Sequence, residues 1–203
     1  MFFSGDSALY NELSVNATNK ERKVLKYFLK QGCCSFGGLR DEDYLRYVRK
    51  RVENETSEEK ALSKLNIIRD QVNEIEPVHF GGWKYGGALV KRRSNGEYIS
   101  TSYQDSWLFF SDQQIFLYQY TFSTIDDRKF HSTNEYFYRD ITSFSTVVKT
   151  ERTRGDDSID TMMFQLVVPG DHLAIAYTNV DERDDKIIRG VVSMLRDKKA
   201  SMM

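Results

Sequence analysis

Apolar residues recur in two rhythms along this chain, every three to four positions up to about residue 76 and every second position from about residue 97. The first rhythm predicts helices. Thr18-Asn19-Lys20-Glu21 has capping-box spacing, Val24, Leu25, Phe28 and Leu29 form one stripe, and Gly32 is placed to end that helix. Tyr44, Leu45, Val48 and Val52 make a second stripe from Asp41 onward, and Thr56-Ser57-Glu58-Glu59 marks a further start, so a helical hairpin is expected. The last helix of this region, over 57–75, would align Ala61, Leu62, Leu65, Ile68, Val72 and Ile75 until Pro77 stops it. A seam this regular must pack on something.

After His79 the texture changes, with Gly81-Gly82 and Gly86-Gly87 punctuating the chain before Ser94-Asn95-Gly96-Glu97. Strands are predicted at 84–92 and 97–103, joined by a two-residue turn because Asn-Gly accepts positive φ at both central positions. Trp107 to Phe110 and Ile115 to Phe122 form the next pair across Ser111-Asp112-Gln113-Gln114. Alternation sends Phe116, Tyr118, Tyr120 and Phe122 to one face, an aromatic ladder, and Ile115, Leu117, Gln119 and Thr121 to the other. Further strands are expected at 134–139, 141–149, 161–168 and 172–178, the last two linked by Pro169-Gly170-Asp171.

A closing helix begins near Asn179-Val180-Asp181-Glu182, carries Ile187, Ile188, Val191, Val192 and Leu195 on one stripe, and ends in Lys198-Lys199, as the helix dipole favours. This order predicts an α+β chain: N-terminal α-helices over 1–78, then an antiparallel β barrel or sandwich with a C-terminal α-helix over 79–203. The terminal helix is expected to plug an open end of the bent sheet.

Composition narrows the function classes. The 203 residues include 13% aromatics and only 2 prolines, which describes a chain that folds. Its net charge of −1 supplies no basic excess for nucleic acid. Met1-Phe2-Phe3-Ser4-Gly5 lacks a basic region, and no run approaches the roughly 20 apolar residues of a membrane span, so a soluble cytoplasmic chain without an integral membrane segment is expected. The two cysteines, Cys33 and Cys34, are adjacent and offer no disulfide framework.

Trp107-Leu108-Phe109-Phe110-Ser111, Gln114-Ile115-Phe116-Leu117-Tyr118 and Tyr136-Phe137-Tyr138-Arg139-Asp140-Ile141-Thr142-Ser143, in that order, resemble the GRAM and bacterial pleckstrin-homology-like (PH-like) superfamily over residues 97–198. The exit Glu74-Ile75-Glu76-Pro77 also resembles that of uncharacterised bacterial proteins. The resemblance implies a PH-like β domain, a fold that hosts lipid binding, peptide binding and scaffolding alike. Phosphoinositide-binding members carry Lys and Arg on the first strand pair and its loop. Here Ser111-Asp112-Gln113-Gln114 holds no cation, and those lipid-binding roles do not carry over.

Each chemical motif has a plainer structural reading beside it. Lys91-Arg92-Arg93, with Lys84 and Trp83, is a candidate ligand or partner contact, although three basic residues are ordinary on a solvated hairpin end. Gly81 to Gly87 lacks the Gly-Lys-Ser/Thr ending of a phosphate loop and reads as a flexible joint with Trp83 against the core. His79, His131 and His172 show no metal-ligand spacing and read as surface or turn residues, Cys33-Cys34 reads as buried thiols, and Asp126-Asp127 and Asp156-Asp157 read as solvated loops. Asp140, beside Arg139, reads as a cap for backbone amides at a bend.

The expected function is therefore a non-enzymatic cytoplasmic binding or adaptor module without a cofactor. A protein partner would be met by a strand edge, an aromatic patch or the helix seam of Leu62, Leu65, Ile68 and Val72. The alternative is weak association with anionic lipid or a phosphorylated ligand through Lys84, Lys91, Arg92 and Arg93. Self-association into a homo-oligomer is compatible with either reading.

Overall fold

The computed structural model describes residues 4–29, 38–177 and 182–201. Helices α1 (Ser4–Ser14), α2 (Asn19–Leu29), α3 (Asp41–Glu55) and α4 (Glu58–Leu65) precede the strands. The capping box at the start of α2 is reciprocal, with Thr18 N–H donating to Glu21 Oε2 at 2.6 Å and Glu21 N–H to Thr18 Oγ1 at 3.3 Å. Gly32, Cys33 and Cys34 lie outside the described residues.

The helix expected over 57–75 stops at Leu65. Asn66 turns left-handed at φ 56°, a conformation Asn tolerates better than most residues, and a 3-10 turn over Arg69–Val72 follows. The break splits the seam. Ala61, Leu65 and Val72 are buried, Leu62 is half-buried, and Ile68 is 63% exposed. Nor do α3 and α4 form the expected hairpin, since α4 lies along β5 and β6 while α1 pairs with α2.

Strands β1 (Val78–Lys84), β4 (Ser102–Phe110), β5 (Gln114–Ser123) and β6 (Lys129–Phe137) form one antiparallel sheet in the order β1-β4-β5-β6. Between β1 and β4 stands a separate hairpin of β2 (Val90–Arg92) and β3 (Tyr98–Ser100). Strands β7 (Ser143–Arg152), β8 (Ser158–Val168) and β9 (Asp171–Ala176) make a second sheet, and α5 (Glu182–Ser201) ends the chain. The molecule is mixed α+β with antiparallel sheets, and they do not close into a barrel.

Two sequence expectations fail around β1. The predicted strand at 84–92 is strand only at Lys84 and over Val90–Arg92, with a turn at 86–88 between them, while Gly81-Gly82-Trp83-Lys84, expected as a flexible joint, pairs with Ser102 to Asp105 of β4. Glycine is needed here for approach: a Cβ on Gly82 would lie 2.6 Å from the Ala176 carbonyl carbon and 2.7 Å from Tyr177 N, backbone that cannot swing aside. The Asn-Gly turn also differs. Arg93 N–H reaches Glu97 O at 2.7 Å and Gly96 N–H reaches Arg93 O at 3.0 Å, so the loop has three residues and only Gly96, at φ 91°, is left-handed.

Both faces of the first sheet are covered. The ladder Phe116, Tyr118, Tyr120 and Phe122, with Phe109 and Trp83, packs under Val24, Leu25, Phe28, Tyr44, Val48, Ala61 and Leu65 of the helices. The opposite face sends Phe80, Leu108, Phe110, Ile115 and Leu117 against Phe164, Leu166 and Ile175 of the second sheet and Ile188, Val191 and Leu195 of α5. The outer edge of β9 rests on the first sheet, where Ala176 N–H donates to Gln104 Oε1 at 2.8 Å and Gln119 Nε2 donates to Ala174 O at 3.2 Å. These two buried amides satisfy an edge that would otherwise lack partners.

Candidate functional site

The basic residues singled out from the sequence are spent inside the molecule. Lys91 Nζ stands 3.7 Å above the Tyr27 ring and 3.9 Å from Asp41 Oδ1, while Arg93 lies 3.6 Å from Asp41 Oδ2 and 2.5 Å from Glu97. The β2-β3 hairpin thus grips the first residue of α3, and partial burial lowers the Lys91 ammonium pKa. Lys84 faces Glu151 at 3.7 Å, and that carboxylate also accepts Tyr85 N–H at 2.7 Å. Arg92 donates to Gly96 O at 3.3 Å. Trp83, only 7% exposed, stacks on Tyr44 at 5.9 Å and meets Tyr103 edge-on at 4.9 Å. These five residues tie the hairpin, helices and sheets together rather than forming one open patch.

A different place gathers cations around open space. At the end of the first sheet where β5 turns into β6, a cleft of about 210 Å³ is lined by Gly86 to Ala88, Ser102, Thr121, Arg128, Lys129, Phe130 and Arg154. Three connections meet there: the segment after β1, the β5-β6 turn and the β7-β8 turn. Arg128 donates from Nε and Nη2 to Asp126 Oδ2 at 2.9 and 2.7 Å, and Arg154 Nη2 donates to Glu12 Oε1 of α1 at 3.0 Å. Partial burial pushes the Asp126 carboxyl up, yet the Arg128 hydrogen bonds outweigh it and hold the group below its ordinary value. Lys129 has no carboxylate at ion-pair distance among the described residues, and Phe130 is 64% exposed. Reading the sequence missed this cleft, because Arg154 is brought to Arg128 only by the turning of the second sheet.

The histidines are exposed, as expected of surface residues, and lie on strands. His79 in β1 and His131 in β6 occupy opposite edges of the helix-covered face, and His172 lies in β9. His79 Nε2 is 2.7 Å from Asp105 Oδ1 and its ring stacks on Trp107 at 4.3 Å. Asp105 is 1% exposed and its Oδ2 has no hydrogen-bond partner among the described residues. Tyr118 Oη lies 2.8 Å from His131 Nδ1, and burial pushes that phenol up to about 12, which keeps it protonated. Tyr120 O–H donates to Glu55. Among the described residues no three His, Cys, Asp or Glu side chains are placed to hold a metal. Asp140 caps no amide among the described residues, and its carboxylate lies 3.8 Å from Arg139.

Desolvation, then Lys64 and Lys129, lower the His131 pKa against a weaker pull from Glu55. We expect its ring to titrate below 6.5 in a proton NMR titration, and Lys64→Gln with Lys129→Gln to move the midpoint upward. The sign follows from linkage: a depressed folded value favours the neutral ring, so its stabilisation is full above 6.5 and lost as pH falls through the folded value. A midpoint above 6.5 would contradict this environment.

No helix among the described residues is long and apolar enough to cross a membrane. In comparisons with known proteins, no family model, curated protein or solved structure matches this chain.

Proposed function

We propose that this chain is a non-enzymatic, PH-like binding module of the cytoplasm, which holds an acidic segment of a protein partner in the cleft between Arg128, Lys129 and Arg154. The fold part of this reading is supported by a four-strand meander, then a three-strand meander, then a helix packed into the core between them. The observation that carries the ligand class is internal. Asp126 and Glu12 already seat carboxylates on Arg128 and Arg154, while Lys129 has none among the described residues and Phe130 offers an apolar rim. Exchange of these partly exposed ion pairs for a partner's carboxylates or phosphates is inexpensive, because surface pairs contribute little to stability.

The lipid alternative through Lys84, Lys91, Arg92 and Arg93 is the weaker one, since Lys84, Lys91 and Arg93 each face an internal carboxylate. A peptide array graded in Asp, Glu and phosphoserine content tests the main reading. Acidic peptides should be retained, and Lys129→Glu with Arg154→Glu should weaken them by about tenfold or more. Equal retention of neutral peptides, or no change in the double variant, removes the reading. Binding to phosphatidylserine vesicles in place of peptides would move the assignment to lipid.

A further inference from the structure

We infer that β6 is a self-association edge, on which a second copy of this chain pairs antiparallel about a twofold axis at Thr133. Strand β6 lies at the margin of the first sheet and, among the described residues, is bonded only to β5. At the two ends of that ladder Ser123 N–H donates to Arg128 O at 2.9 Å and Tyr138 N–H to Gln113 O at 3.0 Å. Directly opposed residues exchange the bonds in an antiparallel pair, so the even residues of β6 spend their amides on β5. The N–H and C=O groups of Lys129, His131, Thr133, Glu135 and Phe137 therefore point outward, and no backbone partner is recorded for them among the described residues.

An uncovered edge of 9 residues is an invitation to pair, and what pairs is decided by its side chains. Lys129 and His131 stand at one end and Glu135 towards the other. Antiparallel alignment about Thr133 brings Glu135 of each copy opposite His131 and diagonal to Lys129 of the other, whereas a parallel in-register pairing would set like on like. Lys129 comes opposite the exposed Phe137 ring, which suits a cation over an aromatic face. On the other face Phe130, 64% exposed, meets Tyr136, and Ser132 meets Asn134. Strand β7, the outer strand of the second sheet, is less suited: centred on Val148 it would set Lys149 against Val147, centred on Thr150 it would need Glu151, which is buried against Tyr85 N–H and Lys84, and Gly87 N–H already occupies its Arg152 carbonyl.

The pairing is isologous and closes at two copies, giving one continuous sheet with four strands from each. Because Phe130 also rims the cleft, the two clefts would lie near the shared edge. The inference needs no ligand, so its test is separate from that of the peptide reading.

Sedimentation velocity on the full chain, over a roughly hundredfold range of concentration, should show a monomer–dimer equilibrium. Thr133→Pro removes an outward N–H and leaves the β5-β6 ladder whole, so it should give a monomer with a little-changed melting curve. Asn134→Pro removes an inward N–H and should lower the melting temperature. Glu135→Lys, which puts like charges beside each other twice per dimer, should weaken association by about tenfold, and this variant decides the matter if Thr133→Pro does not fold. A wild type that is monomeric throughout, or a dimer indifferent to Glu135→Lys, overturns the proposal.

Discussion

Tyr44→Ala should lower the free energy of unfolding by about 4 kcal/mol, the range for removing a fully buried large aromatic side chain. The ring is 0% exposed and sits where α3 meets the sheet, stacked on Trp83 at 5.9 Å and edge-on to Phe28 at 5.1 Å. Its hydroxyl donates to Ser100 O at 2.6 Å and lies 3.0 Å from Thr124 Oγ1. Burial raises the phenol pKa, so the group stays a neutral donor across any ordinary pH. Against a typical total of roughly 5–15 kcal/mol, such a loss is large.

Tyr44→Phe separates the two contributions, keeping the packing but leaving the Ser100 carbonyl without its donor, at a cost of about 1–3 kcal/mol. Because the helices and the sheet share one core, far-ultraviolet and near-ultraviolet circular dichroism should report a single transition in urea. Two separate transitions, or a Tyr44→Ala loss under about 1 kcal/mol, would mean that α3 does not seat on the sheet as described.

Leu65→Asp is the second large effect. Leu65 is 5% exposed at the end of α4 and belongs to the same core as Ala61, Tyr118 and Tyr120. A carboxylate in that position would lose water without gaining a cation, a change that costs several kcal/mol. We expect about 4 kcal/mol or more by urea titration, with most of the expressed chain insoluble. Ile68→Asp is the contrast. It lies three residues on in the same apolar pattern, yet it is 63% exposed, and the change should stay within about 0.5 kcal/mol. Similar losses at both positions would restore the continuous helix expected over 57–75.

The contrast between Leu65 and Ile68 shows how far pattern reaches. Spacing by threes and fours identifies residues that a continuous helix would align, but Asn66 can leave the helical region at little cost, and nothing local says that it does. Glycines misled in the opposite direction. Gly81 and Gly82 look like a joint because they carry no apolar side chain to alternate, whereas the smallness of Gly82 is what lets β1 run against β9, and that of Gly81 leaves room for the Tyr103 side chain. The basic run at Lys91 to Arg93 was legible as a cluster of charge, but its neutralising partner Asp41 lies some fifty residues away in the chain. Gln104, Gln119 and Asp105 carried no signal beyond being polar residues within a strand pattern.

Local chemistry by itself determined where α2, α3 and α5 run, where most strands run, that β5 has one aromatic face, and that the capping box starts α2. Those features depend on side-chain period and on hydrogen bonds that span three or four residues. Only the tertiary structure decided that helices cover the ladder, that the β9 edge rests on two glutamines, that Arg154 joins Arg128 at a cleft, and that the outer edge of β6 has no strand partner among the described residues. Each of these follows from which distant surfaces meet when apolar area is withdrawn from water, and that burial is non-directional, so no short window of sequence encodes the outcome.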